Sequence, residues 1–170
     1  MLARSAIRGP HALALRAFRR MPMWARVFIV RRVAPAHTVG ALCFLEHEGR
    51  VLLLRQRHRR GWTLPGGLVN RGETAVQAVE REVFEETGLS VSVGQPFATV
   101  IEPGVRRVDV LFHVTVAERP EVTVAGEALT ADWLTPDELG DIDDPTTDAF
   151  AELARYRAGE SHAGRVVGRL

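Results

Sequence analysis

Between Gly66 and Leu89 the chain reads GGLVNRGETAVQAVEREVFEETGL, a glycine-rich loop feeding one helix with a defined stop. Thr74 to Thr87 place Val76, Val79 and Val83 on one helical face, and Gly88 ends the run. With about 100° between successive residues, Glu82 and Glu86 stand about 40° apart, Glu85 roughly 60° further round, and the valine stripe about 90° away. Such a helix must bury its valines against another layer while turning three carboxylates to one edge. Those acids sit at the negative end of the helix dipole, where each loses about 0.3–1 kcal/mol when exposed. A solvated acidic face is the common fate of charged helix residues, yet a solvated last turn prefers Arg or Lys. Arg81, beside Glu80 and the three acids, offsets only part of the charge.

The surrounding segments supply the other layer. TVGALCFLE and RVLLLRQR are apolar runs of strand length joined by HEG, a hairpin turn. GWTLPGG reads as a loop, restricted at Pro65 and with unusual backbone angles open to its glycines. LSVSVGQPFATVIE and RRVDVLFHVTVAE read as further strands, ADWL as a short one, and TPDEL as a capped helical turn. A last helix starts with Asp144 as cap and Pro145 in its first turn, and ends before Gly159. Strands and helices interleave, so the class is α/β with a mixed sheet between helices.

Residues 1–36 differ in composition. Eight arginines and no acid precede Glu46, and HALALRAF and MWARVFIV fit one or two short basic helices. Packing on the domain or on a dimer partner is set ahead of contact with an anionic membrane surface, and a targeting role comes third. The core domain is expected over 37–158, and 159–170 form a loosely held tail without periodicity. No stretch approaches the roughly 18–20 apolar residues that span a bilayer, so a soluble, cytoplasmic protein is expected. The formal net charge of +1 gives no basic coat for a stable nucleic-acid partner. The one cysteine, Cys43, lies in an apolar run and reads as a buried, inert thiol.

Clustered carboxylates suit hard cations such as Mg²⁺ or Mn²⁺, which bind oxygen and turn the repulsion at the helix end into a site. The six histidines form no close ligand pair, and one cysteine cannot build a structural zinc centre. The chain has no lysine, hence no P-loop, and no serine elbow or Cys–His pair for covalent catalysis.

The stretch from Gly67 to Leu89 resembles a complete Nudix box: glycine, five residues, Glu73, seven residues, then Arg81-Glu82-Val83-x-Glu85-Glu86-x-Gly88-Leu89. WTLPGG before it and ADWLTPDEL after the sheet also look like that family. The resemblance implies a Nudix-type α/β/α sandwich. It implies Glu82, Glu85 and Glu86 as ligands of Mg²⁺ or Mn²⁺, with Glu82 or Glu86 also serving to activate water, and the Gly66 carbonyl as a further ligand. Gly67, Glu73 and Arg81 would support the site, the last two through a salt bridge. A further carboxylate from a later loop would be Glu127, with Asp132 as its rival.

The resemblance further implies a divalent-metal-dependent pyrophosphohydrolase. It would cleave the diphosphate linkage of a nucleoside diphosphate derivative by in-line attack of activated water, without a covalent enzyme intermediate. A (deoxy)nucleoside triphosphate is set ahead of ADP-ribose or a nucleotide sugar. Arg55 and Arg57, two apart on a strand, could contact phosphate or equally face solvent, and Trp62 could stack on a base or cover the loop. Arg106 and Arg107 read as surface charge. From a different class, the alternative is a Nudix-fold binding or regulatory module tethered by its basic arm.

Overall fold

The computed structural model describes residues 10–34, 36–102, 104–160 and 165–168. The first nine residues of the basic arm and tail residues 161–164, 169 and 170 lie outside them. The chain divides into two compact units, residues 1–36 and 37–170.

The first unit contains α1 (Pro10–Arg20) and α2 (Met23–Val33). Pro22, extended at φ −60° and ψ 152°, separates them. Each helix carries two arginines in its last turn, Arg19 and Arg20 or Arg31 and Arg32, where the dipole favours cations. None of the α2 residues is buried.

In the second unit the strands are β1 (Thr38–His47), β2 (Arg50–Gln56), β3 (Trp62–Thr63), β4 (Gly66–Leu68), β5 (Ala98–Glu102), β6 (Arg107–Thr115), β7 (Ala128–Leu134) and β8 (Arg165–Gly168). They form one mixed sheet with a main path β3-β2-β1-β6-β5-β8, to which β4 pairs on β1 and β7 on β2. β1 and β6 run parallel over nine residue pairs, and the β5–β8 pairing is parallel too. The β1–β2 hairpin turns through Glu48 (φ 48°) and Gly49 (φ 77°), two positive φ values in succession, as a twisted two-residue hairpin turn requires.

Two helices, α3 (Ala75–Thr87) and α4 (Asp144–Arg157), cover opposite faces of the sheet. Because side chains alternate along a strand, β1 sends Ala41, Cys43 and Leu45 to the α3 side, against Ala78, Val79 and Val83. Leu42 and Phe44 go to the α4 side with Leu111, Ala149 and Leu153. Burial on both faces explains why GALCFL is apolar without alternation. Cys43 has no solvent exposure, and burial pushes its thiol up to about 12.

The structure departs from the sequence expectations at four places. Residues 89–97 are not a strand: Gly94 and Pro96 interrupt the run, and β5 begins only at Ala98. The glycine-rich loop contributes β3 and β4, because β2 offers pairing at Leu54 and Arg55 and β1 along Gly40–Leu42. The α4 cap is Asp143, whose side chain accepts from Thr146 N, so Asp144 is already helical. Finally, residues 165–168, with no periodic pattern of their own, pair with β5 as an edge strand.

Candidate active site

The site begins where β1 changes partner. Its end pairs with β2, while Gly40–Leu42 pair with β4, and Cys43 N bonds to Pro65 O at 3.0 Å. Gly66 takes φ 138°, and a Cβ there would overlap the backbone of Ala41, so only glycine brings the loop this close. A Cβ on Gly67 would likewise overlap the Glu82 carboxylate. These two glycines let the end of α3 lie against β4.

α3 is fixed at both ends. Thr74 and Gln77 form a capping box, and Gly88 closes the helix at φ 72° in the left-handed region. The segment before β7 then runs along the C-terminus: Thr123 N bonds to Thr87 O at 2.9 Å and Ala125 N to Glu86 O at 3.1 Å. Backbone N–H groups thus answer two of the carbonyls that carry the dipole's negative end. The same loop turns at Gly126 (φ 63°) and delivers Glu127.

A cleft of about 460 Å³ results, lined by Glu82, Glu85 and Glu86 from α3, Glu127, Gly66, Gly67 and Leu68, Gly126, and by Gln56, His58, Arg59 and Arg107. Glu86 is buried, with one carboxylate oxygen accepting from Gly66 N at 3.0 Å and the other from the Gln56 amide. Burial pushes its carboxyl up to about 7, against the lowering effect of the Gly66 amide. Arg81 grips Glu73 with two nitrogens, at 2.7 and 3.1 Å, and also reaches Glu82 at 2.7 Å and Glu85 at 3.1 Å. The Arg81 hydrogen bond, with that of the Asn70 amide, holds Glu73 down at about 2. Arg81 also donates to Leu68 O, so one guanidinium ties the loop, β4 and the helix together.

All four acids expected at the site therefore line one cleft, with Gly66 and Gly67, while Glu73 and Arg81 brace it from outside the lining. Among the described residues, no three Asp, Glu, His or Cys side chains already surround one point as a ready cage. The donors are nevertheless all oxygen, and Glu85 is about half exposed, held at one oxygen by Arg81. That set suits a hard dication that keeps several waters.

Glu127 pairs with His58 at 3.0 Å inside the lining, whereas Asp132 lies on β7 outside it, its carboxylate accepting from Trp133 N. Arg55, Arg57 and Trp62 are also outside the lining. Alternation along β2 sends Gln56 inward, and Arg55 instead lies over the Trp62 ring, 4.7 Å from its centroid. Sequence reasoning missed Gln56, His58, Arg59 and Arg107. The one available signal was Asp109, an acid within an apolar strand two residues from Arg107.

The NUDIX domain model matches residues 35–155. A "MutT-like protein" of Streptomyces ambofaciens is 33% identical over 108 residues, 63% of this chain and 70% of that one. A "Putative 8-oxo-dGTP diphosphatase" of Bacillus subtilis (strain 168) is 28% identical over 104 residues, 61% and 70% of the two chains. The crystal structure of a Nudix hydrolase from Nitrosomonas europaea superposes with a TM-score of 0.66 at 23% identity, covering 79% of this chain and 81% of that one, and shows the shared fold. The chain belongs to the Nudix hydrolase family, whose MutT-like members act on phosphoanhydride bonds. Hydrolases of this family generally use divalent metals.

Proposed function

We propose that the protein is a divalent-metal-dependent pyrophosphohydrolase that cleaves the diphosphate linkage of a nucleoside diphosphate derivative, with a (deoxy)nucleoside triphosphate ahead of ADP-ribose or a nucleotide sugar. The observation that carries this reading is the cleft itself, where carboxylates from α3 and from the loop before β7 face one space beside the Gly66–Gly67 backbone.

Glu82, Glu85, Glu86 and the Gly66 carbonyl would hold Mg²⁺ or Mn²⁺, which when bound neutralises the diphosphate oxygens and makes a coordinated water more acidic. Glu82 or Glu86 would also serve in activating that water, and the orientation of both Glu86 oxygens by Gln56 and Gly66 supports Glu86. Glu127, delivered by the loop that runs along the end of α3, would face the water or the leaving phosphate from outside the helix. Gly67, Glu73 and Arg81 keep the α3 acids at the loop.

A panel of nucleoside triphosphates, ADP-ribose and nucleotide sugars, with products resolved by mass, tests the reading. Mg²⁺-dependent release of a nucleoside monophosphate that is lost in Glu86→Gln is the expected result. No hydrolysis of any member, with Mg²⁺ or Mn²⁺, would contradict it and favour the tethered binding module.

A further inference from the structure

The cleft has a second wall whose chemistry is opposite to the first. Arg59 and Arg107 line it, facing the same space as the four glutamates. Each is anchored by an acid, Arg107 by one on its own strand and Arg59 by one far along the chain. Arg107 gives its Nε to Asp109 on β6 at 2.7–2.8 Å, and Arg59 gives one terminal nitrogen to Asp143, the α4 cap, at 2.9 Å. Asp109 is only 3% exposed, and burial raises its pKa against the pull of Arg107. Gly40 beneath it has no room for a Cβ, which would overlap the Asp109 carboxylate.

A surface arginine needs no such construction. Burying a carboxylate costs several kcal/mol unless it is paired, and here two acids hold two guanidiniums in fixed positions. The anchors engage Nε of Arg107 and one terminal nitrogen of Arg59, while both guanidiniums line the cleft. Meanwhile the lining holds no Phe, Tyr or Trp, its one sizeable apolar side chain is Leu68, and the His58 ring is paired to Glu127. Proteins that hold a base commonly stack it on an aromatic ring, and the lining among the described residues offers no Phe, Tyr or Trp for that.

We infer that Arg59 and Arg107 form a phosphate-binding subsite, which selects substrates by a third phosphate beyond the diphosphate at the glutamate wall and leaves the base nearly unread. This rests on the hydrolase reading above and names its substrate class: polyphosphate chains of three or more phosphates, in preference to diphosphates that end in a sugar.

The test compares ATP, GTP, CTP, UTP and ADP-ribose on the full chain in Mg²⁺, in wild type, Arg107→Ala, Arg107→Lys and Arg59→Ala. The four triphosphates should lie within about tenfold of one another in kcat/KM. Arg107→Ala should lower kcat/KM for triphosphates about 10- to 100-fold, mostly through KM, with a loss at least about tenfold smaller for ADP-ribose and partial rescue by lysine. Equal losses on both substrates, or one base preferred more than about 100-fold, would overturn it.

Should Arg107→Ala leave Asp109 unpaired and unfold, Arg59→Ala decides, because Asp143 still caps α4 through its other oxygen. Calorimetry with inorganic tripolyphosphate and pyrophosphate in Mg²⁺ separates the two readings. If wild type hydrolyses nothing, the hydrolase reading fails, yet tighter binding of tripolyphosphate that Arg59→Ala abolishes still supports this subsite. Equal binding of the two anions overturns it.

Discussion

Glu86 is the residue on which burial and charge conflict most directly. It is 5% exposed, and its carboxyl is pushed from 4.5 to about 7, chiefly by loss of solvent. Below about pH 4.5 it is protonated in both the folded and unfolded chains and contributes no cost. Above about 7 it is ionised in both, at a destabilisation of the fold on the order of 3 kcal/mol. Metal-free wild type should therefore lose stability relative to Glu86→Gln as pH rises from 5 to 8, measured by denaturant unfolding in chelator. A stability gap that does not change with pH would refute this. The acid could be read from sequence because the spacing of Glu82, Glu85 and Glu86 is local. Its partners could not, since Gln56 lies 30 residues away and is set by strand alternation rather than by any motif. Arg59 and Asp143, 84 residues apart, show the same limit.

At the scale of the element, α3 carries the site because its two ends are fixed by unlike means. The N-terminus uses its own side chains, with Thr74 and Gln77 exchanging hydrogen bonds with the backbone. Thr74→Ala should cost about 1 kcal/mol of unfolding free energy, read by urea titration, and lower activity as the box loosens. A loss below a few tenths of a kcal/mol would show that tertiary contacts alone hold the end. The C-terminus uses borrowed groups, the amides of Thr123 and Ala125. Helices and central strands were legible because their apolar periods are strong: the hairpin at Glu48–Gly49 and the stop at Gly88 fall where expected. The short strands β3, β4 and β8 were not, because their pairing is imposed by neighbouring strands and their own residues carry no period.

At the scale of the molecule, among the described residues both core clusters are built from the second unit, from Ala41 to Leu153. A chain of residues 37–170 should unfold cooperatively and keep Mg²⁺-dependent activity. Loss of folding on removal of residues 1–36 would show that the basic arm completes the core. No helix among the described residues is long and apolar enough to cross a membrane. The arm's sequence signal, eight arginines without an acid, fixes its charge and says nothing of its partner.

If the acids crowded at the end of α3 form a divalent-cation site, melting of the full chain at pH 8 must respond to the cation. Mg²⁺ or Mn²⁺ at about a hundredfold its Kd should stabilise wild type by about 2.7 kcal/mol, a rise in Tm of roughly 5–10 °C. Glu82→Gln and Glu86→Gln should each weaken that rise. A melting temperature indifferent to either cation would contradict the claim and leave the carboxylates at the wrong end of their helix without a physical reason.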